Sequence, residues 1–265
     1  MSKTNNIPFN KKKTRSSIRR STDADMEAIY NWLADENQRE VPGNFLCNWR
    51  LTKNCHEDRE LLVYVDGKTQ LPIAYQWGGL LHSGILQVKE DMRGKGIGTK
   101  LVARRIAEAY KKNECILCIQ CKPSSSIPFW EKMGFTVFGN AYDKYAYRIL
   151  EKKLTLPGDG QLINIIIRFY PEDKKWSHEL TDPIECFSPA ATKTTDNTVY
   201  LSERVSFFDH ICRNNSSRDV VIEIEINGEI IYCDKAKYEE AQNLGVRRCL
   251  NGFYLDSIQL KSATD

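Results

Sequence analysis

The chain has 265 residues, 41% hydrophobic and 28% charged, ordinary proportions for a globular protein of one or two domains with an ample core. Its 38 Lys and Arg against 35 Asp and Glu leave a net charge of +3, too small to argue for nucleic acid, and no run approaches the ~20 apolar residues that span a bilayer. Residues 1–20 are polar and basic without an apolar signal core, and the nine scattered cysteines read as reduced thiols, so the expected location is cytoplasmic.

Residues 1–14, with Lys11, Lys12 and Lys13, read as a flexible basic tail. Ser17–Arg20 is a predicted strand. Ser21-Thr22-Asp23 supplies capping side chains, and Met26, Ile29, Tyr30 and Leu33 recur at helical spacing. A second short helix is predicted near Asn44–Leu51. Leu61–Val65 and Ile73–Trp77 read as hairpin arms turned at Asp66-Gly67, and Gly84–Val88 is the next strand. Leu101, Val102, Ile106 and Ala109 mark a helix ending near Lys112. Cys115–Cys121 is a strand stopped by Pro123. Ser126 is placed to cap a helix carrying Phe129, Trp130 and Met133, and Gly134 ends it. Phe135–Phe138 and Tyr145–Leu150 are strands. This order predicts an α/β (α+β) fold: a mixed central sheet with helices on both faces, strand 84–88 pairing in parallel with strand 115–121.

Beyond Leu150 the pattern becomes mainly β. Leu156–Gly160 reads as a linker or a wide turn. Leu162–Tyr170 and Val199–Phe208 are strands, and Val220–Ile226 with Glu229–Cys233 forms a hairpin about Asn227-Gly228 with one buried and one mostly solvated face. A short helix over Tyr238–Leu244 stops at Gly245, and Phe253–Leu260 is a last strand. The expected organisation is a tail over 1–14, a domain over 15–152 and a mainly-β accessory domain over 155–265. Cys115, Cys118 and Cys121 sit three apart on a strand, where side chains alternate, and no partner pair with zinc-site spacing follows, so no metal is expected. His178, Asp209 and His210 read as scattered surface or packing residues.

The run from Val88 to Thr99 carries the chemistry. An apolar strand ends at Val88, a glycine-rich turn follows, and a helix begins at once. That order gathers backbone N–H groups at a helix N-terminus, a site for a diphosphate. Gly94, Gly96 and Gly98 let the backbone curl close to the phosphates, while Arg93 and Lys95 can add charge and Thr99 a hydroxyl. The spacing is neither G-x-x-x-x-G-K-[ST] nor G-x-G-x-x-G.

Arg93-Gly94-Lys95-Gly96-Ile97-Gly98, followed at the expected distance by Pro128-Phe129-Trp130-Glu131-Lys132-Met133-Gly134-Phe135, resembles the acyl-CoA loop and later segment of the GCN5-related N-acetyltransferases (GNAT), over residues 17–150. The resemblance implies that acetyl-CoA binds as co-substrate and that an amine acceptor attacks the thioester directly. It implies that the Val88 N–H polarises the thioester carbonyl, that Arg93, Gly94, Lys95, Gly96, Ile97, Gly98 and Thr99 hold the pyrophosphate, and that Ser124, Ser125, Ser126 and Trp130 lie along the cofactor. Many relatives place tyrosine, the usual acid for the leaving sulfur, where this chain has Trp130. Tyr142, Tyr145 and Tyr147 are the substitute acids, and His82 and Glu90 the base candidates; Gln87 could position a water. The accessory domain would serve specificity or homo-oligomerisation. Two other readings stay open: a catalytically inactive GNAT-fold CoA sensor or scaffold, and a nucleic-acid binder using Lys11–Lys13, Arg15, Arg19 and Arg20, whose charge acidic residues elsewhere nearly cancel.

Overall fold

The computed structural model describes residues 15–82, 84–175, 182–210 and 219–260; the basic cluster Lys11–Lys13 and His178 lie outside the described residues. The chain divides into two compact units, residues 15–79 with 84–107, and 80–82 with the described residues from 108 onward.

The first unit holds β1 (Ser17–Arg20), α1 (Asp23–Gln38), α2 (Trp49–Glu57), β2 (Leu62–Val65), β3 (Pro72–Trp77), β4 (Ile85–Val88) and most of α3 (Ile97–Lys111). Its strands form an antiparallel sheet in the order β1-β2-β3-β4. Alternation along β2 covers both faces. Val63 and Val65, with Leu61 just before the strand, pack with Met26, Ile29, Trp32 and Leu33 of α1, whereas Leu62 and Tyr64 pack with Ile97 and Leu101 of α3. A bulge between Tyr64↔Ala74 and Val65↔Pro72 leaves Ile73 extra, and so Ile73 and Ala74 both join the α3 side. The predicted helices on both faces are present in this unit.

The start of α1 is locally encoded. The Asp25 N–H donates to Thr22 Oγ1 at 3.4 Å while the Thr22 N–H donates to Asp25 Oδ2 at 2.8 Å, a reciprocal capping box. Burial pushes the Asp25 carboxyl up, but the Arg19 guanidinium and Thr22 outweigh it and hold the group below its ordinary range. Thr22→Ala is expected to cost about 1 kcal/mol of urea-unfolding free energy.

The second unit begins with β5 (Ile116–Gln120), α4 (Ile127–Lys132), β6 (Thr136–Gly139) and β7 (Lys144–Ile149), whose strands form an antiparallel sheet in the order β5-β7-β6. The predicted parallel pair is not formed: β4 and β5 belong to separate sheets, and every ladder among the described strands is antiparallel. The Cys118 N–H instead donates to the Leu80 carbonyl at 2.7 Å, which occupies the edge of β5 away from β7. Ser126 does not cap α4; its side chain makes no capping bond, and a proline in the first turn sets the helix start.

The remaining strands are β8 (Gln161–Ile163), β9 (Ile165–Pro171), β10 (Glu185–Phe187), β11 (Ala191–Lys193), β12 (Thr198–Phe208), β13 (Val220–Ile226), β14 (Glu229–Lys235), β15 (Arg247–Cys249) and β16 (Gly252–Gln259). Short helices α5 (Glu172–Lys175) and α6 (Glu239–Asn243) punctuate them. They form two sheets, β10-β9-β13-β14 and β15-β16-β12-β11-β8, whose apolar residues share one core. The predicted single strand over 162–170 breaks at Asn164. There the Asn164 N–H donates to Asn227 Oδ1 at 3.0 Å and the Asn227 N–H to the Asn164 carbonyl at 2.9 Å, so β8 joins one sheet and β9 the other. The face of β13 predicted to be solvated buries Glu223, held by Arg168 at 2.9 Å and by Lys175. A further cluster joins Cys115, Ile116 and Cys118 to Phe208, with Phe138 and Tyr147 against it. Cys115 precedes β5, so strand alternation does not separate it from Cys118.

Candidate active site

β4 is an edge strand. The Lys89 N–H donates to the Ile73 carbonyl at 2.9 Å, and Val88 lies opposite Ala74. Alternation along an antiparallel ladder therefore makes Val88↔Ala74 a non-hydrogen-bonded pair and turns the Val88 N–H and C=O away from β3. The Val88 carbonyl is taken by Arg93 Nε at 3.1 Å. The Val88 N–H finds no acceptor among the described residues.

The chain then passes through a 3-10 turn at Glu90–Met92 and enters the glycine loop. Gly94 and Gly96 both adopt left-handed backbone, at φ +73° and +72°, where a Cβ would be strained. Gly98 is not left-handed; it is the second residue of α3, and two glycines rather than three make the curl. The first bonded amide of the helix is that of Lys100, which donates to the Gly96 carbonyl at 3.2 Å. Among the described residues the N–H groups of Gly94, Lys95, Gly96, Ile97, Gly98 and Thr99 have no partner. A Cβ built on Gly94 or Gly96 would meet nothing within 4 Å, so the space at these two positions is open. Six unpartnered amides lie at the positive end of a four-turn helix, the kind of arrangement that attracts anions.

The cationic side chains brace this loop. Arg93 Nη1 donates to the Pro42 carbonyl at 3.1 Å, so its guanidinium links the end of β4 to the turn after α1. Lys95 Nζ donates to the Asp91 carbonyl at 2.8 Å. Glu90, a predicted base candidate, is exposed and paired with Arg39 at 2.7 Å. Gln87 does not face solvent to position a water. It is buried, and its Oε1 accepts from the Phe45 N–H at 3.0 Å and from Tyr75 Oη at 3.2 Å.

Reasoning from sequence missed Glu36. Its carboxylate is fully buried and accepts the Glu90 N–H at 2.7 Å. The signal was present: 26, 29, 33 and 36 are spaced three, four and three, so Glu36 continues the buried stripe of α1.

In the second unit, Ser124 and Ser125 are exposed on the turn before α4, while Ser126 Oγ is buried without a partner. Trp130 is buried, edge-on to Phe129 at 5.0 Å and to Phe135 at 5.4 Å. Tyr142 is 92% exposed. Tyr145 stacks on Phe138 at 5.7 Å, and Tyr147 stacks on Phe208 at 4.2 Å, where burial raises its pKa. His82 is exposed. His210 lies against Phe208 and Phe138, a packing position. Among the described residues no group of three His, Cys, Asp or Glu is arranged to hold a metal ion, and no helix is long and apolar enough to cross a membrane.

Residues 32–137 match the family model of the acetyltransferase (GNAT) domain, a segment that contains β4, the loop, α3 and α4. No curated protein matches the chain. Solved structures similar to it include a GNAT-family acetyltransferase from Staphylococcus aureus Mu50, 12% identical, with a TM-score of 0.41 over 51% of this chain and 99% of that one. PaiA N-acetyltransferase from Thermoplasma acidophilum, in complex with coenzyme A, is 15% identical, with a TM-score of 0.40 over 51% and 99% of the two chains. YncA, a putative acetyltransferase from Salmonella typhimurium with acetyl-CoA, is 18% identical, with a TM-score of 0.41 over 55% and 99%.

Proposed function

We propose, from the match of residues 32–137 to the acetyltransferase (GNAT) domain, that the protein transfers an acyl group, acetyl foremost, from acyl-CoA to an amine by direct attack. The observation that carries this reading is the row of unpartnered amides from Gly94 to Thr99 beyond the outward-turned Val88 N–H. The row would take the diphosphate of the thioester carrier. The Val88 N–H would donate to the thioester oxygen as negative charge grows on it, a contribution largest where the donor needs no reorganisation.

The acceptor amine must arrive neutral and lose a proton, and the departing sulfur must leave as a thiolate or collect one. His82 and Glu90 are the candidates for the first task. Tyr142 and Tyr145 are the candidates for the second, since Tyr147 is locked in its stack with Phe208. Ser126, with its orphaned hydroxyl, and Trp130 would line the carrier. The division of labour that goes with this reading is catalysis over 15–152 and an accessory role, in acceptor choice or self-association, for 155–265. The eight described cysteines are free thiols, in keeping with a cytoplasmic setting.

Calorimetry with coenzyme A and a thiol-release assay against a panel of amines test the proposal. The expected result is CoA binding together with release of CoA thiol from acetyl-CoA that depends on one class of amine. Absence of CoA binding would overturn it. The presence of Trp130 in place of a tyrosine favours one second reading, a CoA sensor without turnover. Tight CoA binding with no acceptor-dependent thiol release across the panel would establish that reading instead.

A further inference from the structure

We propose that Glu36 is a positioning residue of the acyl-CoA loop, acting through the Glu90 amide on one side and through Gln87 on the other. The inference rests on the reading of the loop given above. Glu36 lies near the C-terminal end of α1, with its side chain closed off from solvent. A buried carboxylate is costly unless it is fully compensated, and this one is compensated only in part. It has one short hydrogen bond, from the Glu90 N–H at 2.7 Å. Its two other neighbours stand at the limit of contact, Gln87 Nε2 at 3.5 Å and Arg93 Nη2 at 4.0 Å. An apolar side chain of the same length would continue the stripe of Met26, Ile29 and Leu33 at lower cost. Fold stability therefore does not account for a charge at this point, whereas its partners do.

Each partner belongs to the loop or to its support. Glu90 opens the 3-10 turn that leads into the glycines. Arg93 carries the grip onward, to the Val88 carbonyl at 3.1 Å and the Pro42 carbonyl at 3.1 Å. The Gln87 NH₂ faces Glu36, since a carboxyl oxygen there can receive its N–H. Its Oε1 is then turned to the Phe45 N–H and the Tyr75 hydroxyl. One polar chain thus runs from the Phe45 amide through Gln87 and Glu36 to the Glu90 amide. It fixes the turn after α1 and the entry to the anion site in a single arrangement. Removing the carboxylate frees the Glu90 amide, lets the Gln87 amide rotate and takes away the acid nearest to Arg93. The loop can then leave the single arrangement in which its six unpartnered amides are held, and the cost falls on CoA affinity.

The test compares wild type, E36M and E36Q by urea unfolding, by calorimetry with CoA, and by KM against kcat for acetyl-CoA. E36M is expected to unfold at or above the wild-type midpoint yet to bind CoA about tenfold more weakly, with the change in KM rather than in kcat. E36Q keeps an acceptor for the Glu90 amide and is expected to restore affinity to within about threefold of wild type. A purely structural residue would shift the midpoint and leave the affinity of the folded fraction alone. Should E36M fail to fold, Q87M interrupts the same chain from the other side and is expected to weaken CoA binding about three- to tenfold. Wild-type affinity in a folded E36M, or in Q87M, overturns the role of Glu36 while leaving the acyltransferase reading in place. Failure of wild type itself to bind CoA overturns that reading, and is seen before either variant is measured.

Discussion

Gly96→Val is expected to lower coenzyme A affinity by about 100-fold or more while costing the fold only about 1–2 kcal/mol, the strain of a left-handed non-glycine residue. The two effects separate because of where the Cβ would go. Gly96 sits at φ +72° with nothing within 4 Å of the Cβ position, so a side chain displaces no protein atom. It stands on the turn whose amides, from residue 94 to 99, are without partners, and so obstructs any anion that those amides receive. Hydrogen bonds to a charged group contribute about 1.5–3 kcal/mol each, so blocking two of them suffices for the expected loss. Gly96→Ala, with one methyl group, should fall between valine and wild type. Calorimetry with CoA and a urea titration on the same three proteins provide the check. A valine variant that binds CoA as wild type does would mean that the diphosphate is not held at this turn.

The backbone path of the loop was legible because it is set locally, whereas its braces, Arg93 on the Pro42 carbonyl and Glu36 on the Glu90 amide, reach across the chain. A strand end, two left-handed glycines and an apolar-periodic helix follow one another within twelve residues, and each is dictated by its own sequence. What surrounds the loop was less legible, because it depends on partners remote in the chain. The parallel pairing expected for strand 84–88 is absent from the ladders of the described strands, and the Cys118 amide of β5 is taken by the Leu80 carbonyl, in a segment with no strand pattern of its own. The strand expected over 162–170 was split by a pair of asparagines 63 residues apart, Asn164 and Asn227; the second had been read only as a hairpin turn. Glu223 on β13 and Glu36 on α1 both mark polar residues at positions that only tertiary packing buries. In a sequence a charge reads as a solvated face, and the spacing that contradicted this for Glu36 was visible only once the helix was extended one turn past Leu33.

The second large effect concerns the C-terminal half. Arg204→Ala is expected to cost about 3 kcal/mol of unfolding free energy, the lower end for breaking a buried ion pair, because Asp256 keeps a third of its side chain in water. The Arg204 side chain is 1% exposed. Its guanidinium meets the Asp256 carboxylate through Nε and Nη2, both at 2.6 Å, donates to Cys115 Sγ at 3.2 Å and lies 4.3 Å from the ring centre of Tyr254. Burial pushes the Asp256 carboxyl up, but Arg204 and, behind it, Lys152 outweigh that effect and hold it below the ordinary carboxylate range. A carboxyl lowered in the folded state contributes stability that is fully present above its unfolded value, near pH ~4, and lost as pH falls through the folded one. The gap between wild type and Arg204→Ala should therefore be widest near neutrality and narrow as pH drops below about 4, where Asp256 takes up a proton and the arginine loses its counter-charge. Arg204→Met separates the two contributions. It restores much of the packing volume against Tyr254 but not the pairing, so it should recover part of the stability at every pH and none of the pH dependence. A gap that stays constant from pH 7 to pH 3 would assign the whole effect to packing and remove the ion pair from the account.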